Sequence, residues 1–408
     1  MKYCTRCLYP ANHPYGITFD EKGVCSGCRV HEEKDNINYK ERLSILKDIV
    51  DKYRSKDNTN YDCIVGVSGG KDSHFIVHIV KNVLKLNPLL VTYNHQFNTQ
   101  VGIRNLKNIV RKFDCDHIRF TQKPNIIKKM AKISLKKMGD MCWHCHTGIG
   151  TFPIQIAVKY NVPLIIWGDH GNQDMVGQFS HYDMVEWTKK IRQEHAMRGF
   201  TWRDFINEEG LKKSDLLTYI YPSDEQLEAV GVRGIYLGNF LNWNAKQQTE
   251  LMIKDFGFET LTQERSYNCY ENVECWHCSG THDYLKYLKF GFGRATDHAS
   301  YDIRFGRITR EQGIDFVKKY DAKRPKDLDI LLEFLEMTEV EFETTIEKLR
   351  DQDIWKKNED GTWIVKDSIA NHMNDDFVEE VRVPIKDNSK YILTPENEDI
   401  GDFEHVFM

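Results

Sequence analysis

The chain has 408 residues, of which 40% are hydrophobic and 12% aromatic, so it is long enough to form two or three domains with a sizeable core. Its formal net charge of −5 excludes a polyanion-binding signature over the whole chain, and we expect no nucleic-acid partner. No apolar run approaches the ~20 residues of a membrane span, and MKYCTRCLYP at the start lacks the apolar stretch of a signal peptide. We therefore expect a cytoplasmic protein whose 11 cysteines serve metals or chemistry rather than disulfides.

Two C-x-x-C pairs open the chain, Cys4 with Cys7 and Cys25 with Cys28. Their spacing is typical of a four-cysteine zinc site, in which each pair turns both sulfurs towards one ion. We predict a zinc ribbon over residues 1–33 with structural Zn²⁺. A charged helical connector is expected over residues 34–58.

Strand-like and helix-like segments alternate from residue 61 onwards. The strands are predicted in DCIVGV, PLLVTYN, HIRFT and VPLIIWG, and the helices in HFIVHIVKNVLKL, VGIRNLKNIVRKF and IGTFPIQIAVKY. This alternation indicates an α/β fold, a doubly wound parallel sheet with helices on both faces, which we assign to residues 59–300. Ligands of such sheets bind beyond the carboxyl ends of the strands, so the loops SGGKDS, TYNHQ and WGDHGNQ are predicted to converge on one site.

Residues 301–408 are predicted to form a C-terminal helical region. Its amphipathic segments are ITREQGIDFVKKY, PKDLDILLEFLEM and TEVEFETTIEKLR.

The most informative loop is GVSGGKDS at residues 66–73, a glycine-rich turn that opens a helix. Backbone N–H groups and the helix dipole make a phosphate cradle there, and Ser68 and Ser73 add hydroxyl groups. It is not a Walker loop, because Gly66 is one residue too close to the Gly-Lys pair and Asp72 follows Lys71. It closely resembles the PP-loop, SGGxDS, of the ATP pyrophosphatase superfamily, which includes NAD synthetase, GMP synthetase and the tRNA thiolases.

This resemblance implies a sheet of the PP-loop/HUP type. It also implies a reaction in which AMP is transferred from ATP to a substrate oxygen and pyrophosphate is released. The predicted catalytic residues are Lys71, Asp72 and Asp169, with Asp72 helping to hold Mg²⁺. The implied ATP-binding residues are Val67, Ser68, Gly69, Gly70, Asp72, Ser73, Thr92, Tyr93 and Gly168.

Longer stretches resemble one family within this superfamily, the N-acetyl sugar amidotransferases of bacterial surface-sugar and lipopolysaccharide biosynthesis. They include MCWHCHTG, WGDHGNQ, YLGNFLNWN and FGFGRATDHASYDIRFGRITR, and the likeness runs from Cys4 to about Arg310. The resemblance implies conversion of an acetamido group of a nucleotide-activated sugar to acetamidino by O-adenylation and attack of ammonia. Where many members have Glu after the fourth strand's Trp-Gly, this chain has Asp169.

Two partners follow from that resemblance. The substrate is expected to be a nucleotide-activated N-acetyl sugar. No segment resembles a glutaminase domain, so a separate glutaminase-type protein is expected to supply the ammonia.

Residues predicted to bind the sugar's carboxylate or the nucleotide phosphates are Arg294, Asp297, His298, Arg304 and Arg307. Taken singly, each of these charges also fits a solvated face or a structural ion pair.

The tetrapeptide CWHC occurs twice, at Cys142–Cys145 and at Cys275–Cys278. If the fold joins the two copies, four thiolates can close one metal site: Cys142, Cys145, Cys275 and Cys278. We predict Zn²⁺ there, with an iron–sulfur cluster, buried thiols and a redox pair as alternatives. His144, His146 and His277 are spare donors.

Two other functions fit parts of the same pattern. One is a tRNA-thiolase-like sulfur transferase with an iron–sulfur cluster on the CWHC pairs, against which stand the acidic net charge and the absence of a lysine-rich RNA face. The other is a zinc-ribbon adaptor whose loop binds nucleotide without turnover.

Overall fold

A computed structural model describes residues 1–373 and 375 and the backbone of residues 406–407. The strands are β1 (Cys63–Gly66), β2 (Pro88–Asn94), β3 (Phe97–Asn98), β4 (His117–Thr121), β5 (Leu164–Trp167), β6 (Arg233–Tyr236), β7 (Trp355–Lys357), β8 (Trp363–Val365) and β9 (Val406–Phe407).

The helices number fifteen in the described part of the chain. They are α1 (Ser26–Glu33), α2 (Tyr39–Asp51), α3 (Lys71–His78), α4 (Gln100–Phe113), α5 (Pro124–Met138), α6 (Trp143–Tyr160), α7 (Gly171–Val176), α8 (Lys189–Ile191), α9 (Asp224–Val230), α10 (Ala245–Phe256), α11 (Asp283–Phe290), α12 (Arg294–Arg304), α13 (Arg310–Tyr320), α14 (Asp327–Leu335) and α15 (Glu339–Glu347). Among these helices none is both long enough and apolar enough to cross a bilayer.

The centre of the protein is a five-stranded sheet in the order β4-β2-β1-β5-β6. All four neighbouring pairs run parallel, and Ile64 pairs with both Leu89 and Ile165. The predicted parallel α/β fold and its four predicted strands are confirmed, whereas β6 was not predicted from RGIY. The strand order reverses between β1 and β5, and that switch point is where a doubly wound sheet opens a crevice for ligands.

Side chains alternate between the two faces of the sheet. Val65 and Leu90 join one buried cluster with α2, α3 and α4, while Ile64 and Leu89 join another with α5 and α6. Because both faces are covered, the strands are apolar without interruption, as is usual in parallel sheets. Helices on both faces confirm the doubly wound arrangement.

The N-terminal segment forms two short β-bridges, Tyr3 with Pro10 and Phe19 with Cys25, before α1 begins. The predicted connector contains α2, whose Asn38 cap accepts a hydrogen bond from the Glu41 N–H at 3.3 Å.

The C-terminal part is largely helical, as predicted. The three predicted segments form α13, α14 and α15, and an unpredicted hairpin of β7 and β8 follows them. Position 301, the predicted start of this region, lies inside α12. The predicted region from 376 to its end lies outside the described residues, apart from β9, which pairs with β3.

Candidate active site

The loop between β1 and α3 is closed by hydrogen bonds between its own residues. The Ser68 N–H donates to Ser73 Oγ at 2.9 Å, and the Gly70 N–H donates to Ser68 Oγ at 3.3 Å. Gly69 has φ +96°, and a Cβ there would lie 2.6 Å from the Gly102 carbonyl oxygen, so only glycine fits. No side chain in the described structure caps α3, which leaves its first N–H groups available to an anion.

Lys71 and Asp72 begin α3 and lie beside a carboxylate from a distant part of the chain. Lys71 Nζ is 2.7 Å from Asp72 Oδ2 and 3.2 Å from Glu271 Oε1. Burial alone would lower the pKa of Lys71, but the two carboxylates raise it above its ordinary value. Asp72 Oδ1 is buried without a hydrogen-bond partner among the described residues, which leaves a carboxylate oxygen for a cation.

Asp169 follows β5 and faces Asp72 across the switch point. Burial, assisted by the charges of Asp72 and Asp174, raises the pKa of Asp169 to about 7. Asp174 itself stays ionised: burial opposes its charge, but Lys34, whose Nζ lies 2.6 Å away, and His181 hold its pKa below the ordinary value. The site therefore combines Asp169, whose pKa lies near neutrality, with Asp174, whose pKa is held low.

These groups line a cavity of about 200 Å³. Lys71 and Asp72 enter it from the PP-loop and Asp169 from the loop after β5, so two of the three predicted loops converge. The third loop, TYNHQ, provides none of the described lining residues. The opposite wall comes from the C-terminal part of the chain and includes Glu271, Arg294, Asp297, His298, Tyr301 and Arg307.

Arg294 and His298 reach the cavity from α12. The Arg294 guanidinium donates to the Cys278 carbonyl oxygen at 3.2 Å. Burial opposes its charge, but Cys278 and Asp283 raise the pKa of Arg294, so it remains a cation. His298 Nδ1 lies 2.5 Å from Ser266 Oγ, and burial lowers its pKa well below the ordinary value, so His298 is a neutral hydrogen-bonding group.

Asp297 and Arg307 line the cavity with their charges already paired. Asp297 accepts a hydrogen bond from the Tyr9 hydroxyl at 3.2 Å and forms an ion pair with Lys286. Arg307 donates to Asp302 Oδ1 at 2.8 Å. Four of the five predicted substrate residues thus face one cavity, each oriented by a protein partner.

Arg304, the fifth, lies outside this cavity, so its predicted substrate role stays a prediction. Its Nε donates to Cys28 Sγ at 3.4 Å, and one Nη lies 3.6 Å from Cys25 Sγ and donates to the Met175 carbonyl oxygen at 3.1 Å. The reason is its place at the C-terminal end of α12, where the guanidinium packs on the N-terminal thiols. No Arg304 atom lines the cavity.

The predicted ATP-binding residues outside the glycine turn lie in or next to the sheet and do not line this cavity. Val67 donates its N–H to a β2 carbonyl at 2.9 Å, and Thr92 Oγ1 donates to the Val67 carbonyl oxygen at 2.6 Å. The Tyr93 and Tyr219 hydroxyls lie 2.6 Å apart in the core. Gly168 follows β5, and a Cβ there would lie 3.2 Å from the nearest side chain.

The four N-terminal cysteines form one buried cluster, with their sulfurs all within 4.8 Å of one another. The Cys4 and Cys28 sulfurs are 3.9 Å apart, and those of Cys7 and Cys25 are 3.6 Å apart. A tetrahedral zinc ion with Zn–S bonds of about 2.3 Å places its sulfurs about 3.8 Å apart, so these thiols fit zinc. The Cys7 N–H also donates to Cys4 Sγ at 3.4 Å, which favours a thiolate.

The two CWHC copies come together in the fold. Burial raises the pKa of Cys142, and the charges of Cys145, Cys275 and Cys278 add to that effect, so all four lie in one region. Cys142 also groups with two histidines, His277 and His282, and the three ligand atoms lie within 4.8 Å of one another. Zinc binding by the four thiols stays a prediction.

Two glutamates that the sequence analysis did not assign belong to the site. Glu271 pairs with Lys71, and Glu274 Oε1 accepts a hydrogen bond from Ser68 Oγ at 3.0 Å. Burial raises the pKa of both glutamates. The available signal was their spacing, E-x-x-E immediately before the second CWHC, which alone does not distinguish a site from a charged surface turn.

A glycine-rich loop that resembles a PP-loop lies at the switch point of a doubly wound parallel sheet, with acidic groups around its lysine. Residues 257–369 match the family model described as the C-terminal domain of the WbpG-like LPS biosynthesis protein. This segment carries Glu271, Glu274 and the α12 wall of the cavity. The C-terminal part of the chain is therefore similar to a WbpG-like domain.

Two curated relatives come from Methanocaldococcus jannaschii, and both are uncharacterized proteins. MJ1599 is 26% identical over 113 residues, which are 28% of this chain and 40% of that protein. MJ1016 is 21% identical over 151 residues, 37% of this chain and 50% of that protein. The chain thus spans half the length of these relatives or less.

Among solved structures, NMN synthetase from Francisella tularensis is similar at 14% identity, with a TM-score of 0.28, over 53% of this chain and 86% of that one. The NH3-dependent NAD synthetase from Campylobacter jejuni is similar at 13% identity, with a TM-score of 0.27, over 53% of this chain and 97% of that one.

Proposed function

We propose that this protein is an ATP-dependent N-acetyl sugar amidotransferase that converts an acetamido group of an activated bacterial sugar to acetamidino. The observation that carries the proposal is the shared cavity: Lys71 and Asp72 of the PP-loop face Arg294 and His298 of the WbpG-like domain. A nucleotide held by the loop and a sugar held by α12 would meet there. An LPS biosynthesis domain at this wall supports a sugar rather than a nicotinamide precursor as the acceptor.

ATP would place its phosphates against the open N-terminus of α3. The loop N–H groups and the Lys71 ammonium stabilise the negative charge that develops on the departing pyrophosphate. Asp72, Glu271 and Asp169 surround the same space and offer hard carboxylate oxygens, the ligands that Mg²⁺ prefers. When bound there, Mg²⁺ supplies further neutralisation of phosphate charge.

The sugar would be recognised from the α12 side. Arg294 is a buried cation whose planar guanidinium suits a sugar carboxylate or a nucleotide phosphate. Arg307 offers a second guanidinium, positioned by Asp302. His298 is neutral and can accept or donate one hydrogen bond to a hydroxyl or to the acetamido group, while Ser266 holds its other ring nitrogen.

The reaction balances as an exchange of oxygen for NH. The acetamido oxygen attacks the α-phosphorus of ATP, a P–O bond forms, and pyrophosphate leaves. Ammonia then adds to the imidate carbon, the C–O bond breaks, and the oxygen leaves on AMP. Alignment of the two reactants and exclusion of water are the main contributions required of the cavity.

The ammonia would come from a separate glutaminase-type protein in the cytoplasm, where thiols such as the N-terminal cluster stay reduced. Purified protein should then use ammonium directly and should not use glutamine until the partner is added. Turnover with glutamine alone would contradict this part of the proposal.

The function is tested by incubating the protein with ATP, Mg²⁺, ammonium and a panel of nucleotide-linked acetamido sugars. We expect AMP and pyrophosphate in equal amounts and a sugar lighter by the difference between O and NH in mass spectrometry. Release of ADP and orthophosphate, or AMP formation with tRNA and a sulfur donor instead of a sugar, would overturn it.

A further inference from the structure

A second group of metal-ligating side chains lies where the two CWHC copies meet. The ligand atoms of Cys142, His277 and His282 all lie within 4.8 Å of one another. Cys142 immediately precedes α6, and the two histidines lie in the turn before α11. A thiol and two imidazoles from segments this far apart in sequence are brought together only by the fold.

One histidine of this cluster has ring nitrogens that the protein does not satisfy. His277 is fully buried, and neither of its ring nitrogens has a hydrogen-bond partner among the described residues. Burying unpaired polar nitrogens is costly, and a metal ion that accepts the lone pair of one of them reduces that cost.

A carboxylate lies close to the ring of each of the two histidines, His277 and His282. His282 Nδ1 lies 3.3 Å from Asp140 Oδ1, and His277 Nδ1 lies 3.7 Å from Asp327 Oδ2. Asp327 is held in place by the Thr281 N–H and hydroxyl, at 3.0 and 2.8 Å. A carboxylate behind each imidazole is the usual arrangement that orients metal-bound histidines.

We propose that Cys142, His277 and His282 bind one divalent transition-metal ion of the Zn²⁺ class. One thiolate and two imidazoles suit a borderline-soft ion and leave one tetrahedral position for an exogenous ligand. Of the three ligands, His282 lines a cavity of about 250 Å³ together with Asp140, which gives an exogenous ligand a route towards the site. Asp140 forms a second group with His146 and His282, which shares only His282 with the proposed site.

The site is distinct from the N-terminal thiols and adjoins the proposed active site. Its cavity shares Arg294 and Asp297 with the cavity at the PP-loop. The metal also ties the start of α6 to the segment that carries Glu274, three residues before His277 and bonded to Ser68. This inference does not depend on which sugar or reaction the protein uses.

The test is Co²⁺ binding to the metal-free protein, followed by absorption spectra and metal analysis. We expect two Co²⁺ per chain, one with four-thiolate charge-transfer bands and one with the weaker bands of a single thiolate. The variants His277→Gln, His282→Gln and Cys142→Ser should keep the first ion and lose the second. Matched controls are Cys145→Ser and Cys278→Ser, the neighbouring thiols, which should keep both ions.

The proposal is overturned if wild type binds a single Co²⁺, or if the second ion survives His277→Gln and His282→Gln. It is equally overturned if Cys145→Ser or Cys278→Ser removes that ion, or if anaerobic protein carries a brown cluster dependent on them. Circular dichroism checks folding of each variant. His282→Cys supplies a second measurement: it should retain the ion and strengthen the thiolate band, whereas a merely structural histidine would produce no such change.

Discussion

Glu274 Oε1 accepts a hydrogen bond from Ser68 Oγ at 3.0 Å, so a carboxylate of the WbpG-like domain sits directly on the PP-loop. A Cβ at Gly70 would lie 2.7 Å from the same oxygen, which shows how closely the carboxylate approaches the loop backbone. Glu274 Oε2 has no partner among the described residues. The Glu274 carboxylate therefore lies where the phosphates of a bound nucleotide would approach the loop. Because both groups are negatively charged, a cation between them would be needed to offset their repulsion.

We predict that Glu274→Gln makes ATP binding less dependent on Mg²⁺. The carboxylate repels metal-free ATP and attracts the cation, whereas the amide keeps an oxygen for Ser68 without the charge. The ratio of ATP affinities with and without Mg²⁺, measured by calorimetry, should fall about tenfold, or about 1.4 kcal/mol. Glu225→Gln on the exposed surface of α9 is the control and should leave the ratio unchanged. An unaltered ratio in Glu274→Gln would contradict the prediction.

We predict that Mg²⁺ affinity rises with pH through neutrality because of Asp169. Burial raises its pKa to about 7, so the carboxyl is protonated below that pH and must lose its proton to bind a cation. Affinity should fall about tenfold per pH unit below the pKa. Titrating Mg²⁺ across this range measures it, and Asp169→Asn should flatten the dependence.

The raised pKa of Asp169 also makes the free energy of unfolding depend on pH. The folded pKa of Asp169 lies above the unfolded one, so the folded state binds the proton more tightly. Its contribution to stability is therefore present at low pH and is lost as the pH rises through about 7. Metal-free wild type should lose more unfolding free energy over this range than Asp169→Asn. Parallel pH curves for the two proteins would show that Asp169 does not titrate there.

We predict that Gly69→Ala abolishes ATP turnover. The residue has φ +96°, and the added methyl would meet the Gly102 carbonyl oxygen at 2.6 Å, so the loop must open. Strained backbone of this kind costs about 1–3 kcal/mol, and pyrophosphate release should fall at least about a hundredfold because the phosphate cradle is displaced. Gly231→Ala is the matched control: its φ is +71° but nothing lies near its Cβ, so it should lose a little stability and no activity.

We predict that substitutions of Arg294 and Arg304, both in α12, affect different properties of the protein. Arg304→Gln should weaken zinc binding by the N-terminal thiols, because the guanidinium contacts the Cys28 sulfur. It should also lower the free energy of unfolding by about 3 kcal/mol. The sugar KM should stay unchanged. Arg294→Gln should raise the sugar KM about tenfold or more, because it removes a cavity cation. Zinc-release assays and steady-state kinetics measure the two effects. A raised sugar KM in Arg304→Gln would instead support its predicted substrate role.

Several features were predictable because they depend on neighbours in sequence. The apolar runs at Ile64 and Ile165 predict buried parallel strands, since period and β-branching are local properties. The SGGKDS turn predicts a phosphate cradle because Gly69 must adopt a positive φ there. The strand β6 was missed because RGIY is short and contains a glycine, so its apolar signal is weak.

Other features were decided by contacts between distant segments. The proximity of Cys142 to His277 and His282 depends on how α6 meets the turn before α11. Arg294 and Arg304 stand at opposite ends of α12, and only the first end reaches the cavity, which a one-dimensional pattern of charges does not show.

The sequence alone thus determined the sheet, the glycine-rich loop and the N-terminal thiol cluster, because each depends on residue type and short-range spacing. Only the tertiary structure decided which carboxylates reach the loop, which arginines face the cavity and which thiols and imidazoles lie together. Those outcomes depend on packing across hundreds of residues, where a rotation of one helix exchanges the side chains that face a site.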